Sequence, residues 1–437
     1  MNKNISNKYY NFAKNQLRPI YRSITGKGNL ETLELIKQKF PDFKIKYFNS
    51  GEKVFDWTVP REWNVNDAYI LDKHNNKIID FKKNFLHLVG YSKKINKTIS
   101  RDELLKLLIT YKKIPSAVPY ITAYYKKNFY GFCCSMIQKI NIKNTYNKED
   151  VFKIHIDSNF KKKGKMHFGE FVIKGKSKKE ILISTYICHP QMANNELSGP
   201  IVSMSLMDYF SKKSNKNLLE KTLRFLFIPE TIGSISYLSK NMSSLKKNLV
   251  AGFNLSCIGD ERSYSCMLSR DQNTISDRAL IKTFRKLSIK PKIYSFLKRG
   301  SDERQYNFPQ VDLPIASIFR SKYNEYKEYH TSHDNFNIVT PKGIRGGYTV
   351  ARETIALILN SIYPKCKILC EPNMGKRGLY PLVSKNQRNT KLINMMNFIT
   401  YADGTFTLEE IANIIKITPS ESKKIFKFLK KKKLVIN

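Results

Sequence analysis

Two histidines and two acids stand where the central part of the sequence changes from apolar runs to polar loops. His189, Glu230 and Asp260 each come shortly after such a run, and His330 lies in the loop after a fourth one. If these runs are strands of an open α/β sheet, the four side chains gather at its carboxyl edge, where sites are built. Imidazoles and carboxylates together are ligands that a divalent cation such as Zn2+ accepts. The spacing therefore indicates a metal site.

Each of these residues also has an ordinary structural interpretation. A single histidine after a strand is more often a hydrogen-bonding residue, and a single carboxylate in a loop more often caps a helix or faces water. The evidence is the coincidence of four such residues at successive strand ends. On spacing alone, a metal site and a set of unrelated polar residues are about equally supported.

The elements that would position these residues lie between residues 150 and 363. Strands are predicted at 181–187, 223–228, 250–258, 293–296 and 314–319, and helices at 198–210, 232–240, 277–287 and 342–362. The main strands are near-continuous apolar runs, as in a sheet covered on both faces. This alternation predicts an α/β domain with a mostly parallel mixed sheet flanked by helices.

The flanking regions have other patterns. A helix is predicted at 30–40, before Pro41. Both tryptophans lie between residues 54 and 148, with short β-like runs at 68–71, 78–81, 124–125 and 129–134. Near the end, capping motifs begin at Thr407 and Thr418, and an apolar run at 434–436 follows. We divide the chain into residues 1–53 and 149–385 of the α/β domain, an inserted β-rich domain at 54–148 and a winged helix at 386–437.

Composition excludes several classes of protein. The 437 residues are 41% hydrophobic and 12% aromatic, which is enough for a sizeable core and argues against a disordered chain. No apolar run has the length of a membrane span, and the first residues do not read as a secretory signal. The seven cysteines contain no CxxC pair, so we expect a reducing, cytoplasmic location and no disulfide scaffold.

The formal net charge of +41 raises the question of nucleic-acid binding. Lysine outnumbers arginine several-fold, whereas specific phosphate sites favour the planar fork of arginine. The last predicted helix is rich in lysine (Lys423, Lys424, Lys427 and 430–433), and a solvated basic face is the favoured interpretation. We expect non-specific attraction to polyanions, no specific nucleic acid and no membrane partner.

Several short sequence motifs occur in the same order as in a known superfamily. They are CHPQMANNELSG (188–199), FIPETIGS (227–234), CIGDERSYS (257–265), RGSDERQY (299–306) and EYHTSHDN (328–335). In this order the chain resembles the zinc aminopeptidase superfamily, which also contains glutaminyl cyclases. It is more similar to a bacterial aminopeptidase-like family with an inserted β-rich module and a C-terminal winged helix, often encoded beside surface-polysaccharide genes. Three further motifs match that family: RSITG (22–26), DWTVPREW (56–63) and GKRGLYP (375–381).

The resemblance implies roles for single residues. His189 and His330 match the first and last metal-ligand histidines, and Glu230 matches the general base of the peptidases. Asp302 matches an acid near the substrate amine. Asp260 is the nearest candidate for the metal-binding Asp, although it lies four residues after the matching position.

Two departures from that family pattern bear on the metal. Asn195 stands where the peptidases have the Asp that bridges two zinc ions, and Thr231 stands where they have a second metal-binding Glu. Glu196 is expected to point elsewhere, and Cys188 is not expected to be a ligand. We therefore expect one Zn2+ ion, held by His189 and two other residues (Asp260 and His330), rather than two.

The function implied is zinc-dependent hydrolysis of an amide bond near a free amine, linked to surface-polysaccharide metabolism. The substrate would be a small peptide, an amide or an amino-sugar. One alternative is a metal-poor relative that binds a peptide or amino-sugar without turnover, as Asn195 and Thr231 suggest. Another is a nucleic-acid-binding protein acting through the winged helix. The sequence leaves a homo-oligomer open.

Overall fold

The structure is a computed structural model that describes residues 3–214, 217–379 and 390–437. The described chain forms two compact units, one ending at Glu353 and one beginning at Thr354. The predicted domain boundary at 385/386 lies outside the described residues. So do the last two residues of the GKRGLYP motif, 380–381.

The strands of the described residues are β1 (Lys44–Asn49), β2 (Lys53–Val54), β3 (Trp57–Thr58), β4 (Glu62–Leu71), β5 (Lys77–Asp80), β6 (Ile95–Ser100), β7 (Leu108–Ile109), β8 (Phe132–Cys133), β9 (Val151–Lys161), β10 (Lys165–Ile173), β11 (Ser177–Tyr186), β12 (Lys221–Ile228), β13 (Leu249–Leu255), β14 (Ser265–Met267), β15 (Lys292–Tyr294), β16 (Ile315–Phe319), β17 (Lys365–Cys366) and β18 (Val435–Ile436).

The α-helices of the same residues are α1 (Lys3–Phe12), α2 (Lys27–Lys39), α3 (Arg101–Leu107), α4 (Met136–Thr145), α5 (Ser198–Ser214), α6 (Ile232–Asn248), α7 (Ile275–Lys286), α8 (Glu303–Tyr306), α9 (Pro341–Asn360), α10 (Thr390–Thr400), α11 (Leu408–Ile414) and α12 (Pro419–Lys431). Two π-helical turns, Ala13–Leu17 and Ala193–Leu197, extend α1 and precede α5.

An eight-stranded mixed sheet carries the first unit, in the order β1-β10-β12-β11-β13-β16-β14-β15. Its centre is parallel: β11 pairs with both β12 and β13, and β13 pairs with β16. Positions 180–186 of β11 are all buried, because helices and neighbouring strands cover both faces. The predicted α/β fold with a mostly parallel mixed sheet flanked by helices is confirmed.

One edge of this sheet was not predicted. β1 and β10 pair antiparallel with each other, and β10 pairs antiparallel with β12. β1 (KIKYFN) is mostly exposed and carries two lysines, as is common in edge strands, so it lacks the apolar run that marked the central strands.

A second sheet of four strands, in the order β5-β4-β9-β6, packs around buried aromatic and aliphatic side chains such as Trp63. β9, the last of these four strands along the chain, lies beyond residue 148, the predicted end of the inserted domain. The predicted strand at 124–125 is wrong, and 129–134 contains only β8, because this segment runs mainly as turns.

The second unit contains α10, α11 and α12 and a small antiparallel pair of β17 with β18. Thr407 and Glu410 form the predicted reciprocal capping box, and Thr418 accepts a hydrogen bond from the Glu421 backbone amide. Buried Ile411 and Leu429 lie in its apolar core. The described part of the chain contains no helix with the length and apolarity that crossing a bilayer requires.

Candidate functional site

His189 and His330 lie side by side at the carboxyl edge of the large sheet. Their ring centroids are 5.3 Å apart. His189 follows β11, whose extension is fixed by a hydrogen bond from Ile187 N to Ile228 O of 3.0 Å. His330 lies in the loop after β16 with a φ of 54°, a backbone conformation that a non-glycine residue rarely adopts. The structure thus brings together two imidazoles that are far apart in sequence.

Glu196 orients the ring of His189. Its Oε2 lies 2.9 Å from His189 Nδ1, and its Oε1 lies 3.3 Å from the Nε atom of Arg22. All three side chains are almost fully buried. The turn 193–197 is π-helical and directs the Glu196 side chain at His189 Nδ1, a contact that the sequence did not indicate. That Glu196 does not replace the carboxylate missing at Asn195 stays a prediction. With Nδ1 occupied, Nε2 is the nitrogen that faces the site.

Both imidazoles are neutral near pH 7. Burial, with a smaller contribution from the charge of Arg22, lowers the pKa of His189 to about 3. Burial and the neighbouring His189 lower the pKa of His330 well below its usual value. The Nε2 atom of His330 is buried and has no hydrogen-bond partner among the described residues. A neutral imidazole with a free nitrogen is the form that binds a metal ion.

Glu230 is the accessible acid of the site. Its Oε2 lies 3.7 Å from His189 Nε2, and its Oε1 accepts a hydrogen bond of 2.5 Å from the Ser301 hydroxyl. The side chain is 22% exposed. Burial of the carboxyl group, together with the charge of Asp302, raises the pKa of Glu230 to about 8. Glu230 can therefore exchange a proton near neutral pH.

Asp302 lies behind Glu230 and has no exposed surface. Its Oδ1 accepts hydrogen bonds from the Thr231 backbone amide (2.7 Å) and the Ser234 hydroxyl (2.8 Å). Thr231 has φ 65° and ψ −77°, so this carboxylate stabilises a strained turn directly after Glu230. Burial raises the pKa of Asp302 to about 6. A substrate amine would reach this enclosed group only if the loop opened.

Asp260 is engaged elsewhere. Its two oxygens accept hydrogen bonds from the Asn194 side chain, the Arg262 amide, and both the amide and the hydroxyl of Ser321. Among the described residues, no hydrogen bond, ion pair or ring contact joins Asp260 to either histidine. In the part of the chain that the structure describes, Asp260 also belongs to no group of three potential metal ligands whose atoms all lie within 4.8 Å of one another.

Asn195 lies beneath the site with its side chain held by protein. Its Oδ1 accepts a hydrogen bond of 2.9 Å from the Tyr186 hydroxyl, while its Nδ2 has no partner among the described residues. The Asn195 backbone amide donates a hydrogen bond to the Asp334 carboxylate, which also accepts hydrogen bonds from the backbone amides of Ala193 and Asn194. Asp334 thus holds the start of the π-helical turn that carries Asn195 and Glu196.

Two tyrosines complete the walls. The Tyr120 ring lies 5.0 Å from the His189 ring and 5.1 Å from the His330 ring, and its amide donates to His330 O at 2.8 Å. Tyr329 stacks on His330 at 3.9 Å, so packing is its observed role. Sequence reasoning missed Tyr120, because no local pattern shows that residues 118–120 pair with the loop after His330.

Cys188 lies close to the same groups. Its Sγ is 3.5 Å from His189 Nδ1 and accepts the Glu230 amide at 3.2 Å. The ligand atoms of Cys188, His189 and Glu196 all lie within 4.8 Å of one another. Burial raises the pKa of this thiol well above its usual value, so it is a poor nucleophile. Since Glu196 already occupies His189 Nδ1, we assign this cluster to support of the ring.

Comparison with known proteins gives two family matches. Residues 10–361 match a family described as a domain of unknown function, DUF4910, and residues 361–437 match a winged helix-turn-helix family, HTH_47. A Clostridium acetobutylicum protein, named for polysaccharide biosynthesis and an aminopeptidase-like domain, is 38% identical over 377 residues, which are 86% of this chain and 83% of that protein.

Solved structures show the same fold. A C. acetobutylicum structure, provisionally named a peptidase, has a TM-score of 0.78 at 34% identity and covers 99% of this chain and 97% of its own. A zinc aminopeptidase from Bacillus subtilis has a TM-score of 0.58 at 12% identity and covers 82% of this chain and 95% of its own. The resemblance to aminopeptidases with an added winged helix is confirmed.

Proposed function

Because the chain belongs to the DUF4910 family and has the fold of zinc aminopeptidases, we propose that it is a metal-dependent hydrolase that cleaves an amide bond next to a free amine. The observation that carries the proposal is the convergence of two neutral imidazoles with the carboxyl group of Glu230. This set combines a cation site with a proton acceptor at an accessible edge.

His189 and His330 suit a zinc ion and supply two of the three protein ligands that a catalytic zinc site usually has. His189 and His330 would hold it, each through Nε2, and the buried Nε2 atom of His330 has no other partner among the described residues. Bound there, the ion would polarise a carbonyl group and acidify water. Asp260 would have to give up hydrogen bonds from Asn194 or Ser321 to join them, so we place it outside the proposed site.

The residues fit a second ion poorly. Asn195 offers an uncharged amide whose oxygen already accepts the Tyr186 hydroxyl. Thr231 offers a hydroxyl that accepts a hydrogen bond of 2.6 Å from Arg304. Neither provides the carboxylate that would balance a second divalent charge. We therefore propose a mononuclear site.

Three acidic side chains would have the other roles in the reaction. Glu230 would take a proton from the attacking water and pass it to the leaving amine. Glu196 would keep His189 in one tautomer and orientation, as carboxylates behind metal-binding histidines do. Asp302 would act as a positioning residue, since it holds the turn at Thr231 and thereby the direction of Glu230.

The substrate class follows from the relative's name and the fold. The C. acetobutylicum relative is named for polysaccharide biosynthesis. We propose a small amide-bearing molecule, either a peptide or an amino-sugar, within surface-polysaccharide metabolism.

A second candidate is a relative that binds such a molecule without turnover. The saturated hydrogen bonding of Asp260 and the amide at Asn195 favour it. It shares the fold and the site residues of the first candidate but predicts no hydrolysis when zinc is supplied.

Hydrolysis of a panel of aminoacyl anilides and N-acyl amino-sugars, with one equivalent of zinc, distinguishes the candidates. We expect turnover, reduced at least about 100-fold by Glu230→Gln while fold and zinc content are kept. Unchanged hydrolysis in that variant removes Glu230 as the base. Zinc-loaded wild-type protein with no turnover on any substrate supports the binding candidate.

A further inference from the structure

A cavity of about 760 Å³ lies in the first unit, and none of the residues of the proposed metal site line it. Its walls come from the 56–61 segment, from Tyr91 and Lys93, from the 124–129 segment and from Phe160. These are parts of the region around the second sheet. The volume falls in the range of about 300–1,000 Å³ that is usual for small-ligand sites.

Large aromatic side chains are exposed in this cavity. Trp57 is 40% exposed, Tyr125 is 72% exposed and Phe160 is 37% exposed. The floor is rigid: buried Tyr91 stacks on Trp63 at 5.3 Å, and its hydroxyl lies 2.6 Å from Thr25 Oγ1. Grouped, exposed aromatic faces over a fixed floor indicate a ligand with a flat, weakly polar face.

The cavity also carries a surplus of positive charge. Arg61 and three lysines (Lys93, Lys126 and Lys127) line it against one acid, Asp56. Within the described part of the chain, none of these four cations forms an ion pair. Some nearby lysines outside the cavity do: Lys161 lies 2.9 Å from Glu62, for example. The Lys126 ammonium lies 5.0 Å from the centroid of the Phe129 ring, and all four cations are without a carboxylate partner among the described residues. This surplus of positive charge favours a ligand with at least one negative charge.

We propose that this cavity binds an acidic saccharide, with a sugar ring on the aromatic faces and its carboxylate or other anionic group at the lysines. The C–H face of a pyranose packs on an aromatic ring, and its hydroxyl groups suit polar lining groups such as Thr58 and Asn128. A cavity of about 760 Å³ also favours a short ligand over a long single-stranded nucleic acid, which needs a groove that follows its backbone. This binding does not require hydrolysis at the metal site.

Tryptophan fluorescence of the full chain provides the test. The two tryptophans are Trp57 in the cavity and Trp63, which is 1% exposed. Three acidic probes (tri-galacturonate, 3′-sialyllactose and a chondroitin tetrasaccharide) are titrated, with maltotriose as the neutral control and calorimetry as the second readout. We expect saturable binding of at least one acidic probe, at least about tenfold tighter than maltotriose. No saturable binding of any of the three overturns the proposal.

Variants separate the cavity from general surface charge. Lys126→Ala/Lys127→Ala should weaken acidic-sugar binding at least about tenfold, whereas the exposed pair Lys112→Ala/Lys113→Ala should leave it unchanged. Trp57→Ala should weaken binding in calorimetry, and the exposed control Phe308→Ala should not. Equal effects of the two lysine pairs overturn the proposal. Tighter binding of uridine monophosphate or of oligo-dT than of every acidic sugar also overturns it, in favour of a nucleotide site.

Discussion

The imidazole pair depends on residues that do not touch the reacting atoms. Glu196 and Arg22 are buried together on the Nδ1 side of His189, and neither side chain has exposed surface. A buried carboxylate next to a metal-binding imidazole fixes the ring and raises its affinity for the ion. The site therefore includes an inner support that sequence motifs alone would not distinguish from the core.

Replacing Glu196 tests that support. Glu196→Gln should lower zinc affinity about 10- to 100-fold, because the amide orients His189 less firmly than the carboxyl group does. Zinc affinity is measured by competition with a chelating dye. Glu220→Gln, an exposed acid, is the control and should bind zinc as wild type does. Equal affinity in Glu196→Gln and wild type would contradict the assigned role.

Asn195 and Thr231 also allow a gain-of-function prediction. Asn195→Asp alone should still bind one zinc ion, because Thr231 supplies no second carboxylate. Asn195→Asp/Thr231→Glu should take up more than one equivalent, measured by elemental analysis after dialysis. Two ions in the wild-type protein would show that other residues replace these carboxylates.

Among the secondary-structure elements, the π-helical turn that contains Asn195 and Glu196 is held by one acid, Asp334. Asp334 accepts three backbone amides of residues 193–195 and the hydroxyl of Tyr326. Asp334→Asn should lower the free energy of unfolding by about 1–3 kcal/mol, since it weakens charge-assisted hydrogen bonds to buried amides. Urea unfolding measures this, with the exposed Asp271→Asn as control. An unfolding free energy within error of wild type would contradict this account of the turn.

His87 gives the region around the second sheet a predicted pH dependence. Burial lowers its pKa, and its Nδ1 lies 2.7 Å from the Cys133 carbonyl oxygen. Below about pH 6.5 the unfolded chain binds a proton that the folded chain resists, so stability falls as the pH drops through that value. His87→Gln should lose less stability between pH 7 and pH 5 than wild type or the exposed control His74→Gln. The same loss of stability in all three proteins would show that His87 does not cause the pH dependence.

The central strands could be predicted because a two-sided sheet leaves continuous apolar runs, as in β11 and β12. β1 and β10 could not, since their positions depend on pairing with distant strands. The histidine pair could be expected from strand ends, but Tyr120 and Glu196 could not. Tyr120 reaches the site through long-range backbone pairing, and Glu196 through a π-helical turn that ordinary helix periodicity does not anticipate.

For the whole molecule, the net charge of +41 predicts attraction to polyanions without sequence preference. Exposed lysines of α12 (Lys423, Lys424 and Lys427) are a small share of the 77 basic residues. Binding to random duplex DNA should therefore fall steeply between about 50 mM and about 200 mM salt and change little on Lys423→Ala/Lys424→Ala/Lys427→Ala. Salt-resistant, sequence-selective binding that this triple variant abolishes would instead indicate a nucleic-acid function for the winged helix.

The central claim is that two distant histidines form one cation site, and zinc titration by calorimetry tests it most directly. The account predicts one equivalent of zinc bound by wild-type protein, lost on His189→Ala and on His330→Ala but kept on replacement of the exposed His74 by Ala. Absence of zinc binding in folded wild-type protein, or binding that survives both site substitutions, would contradict it.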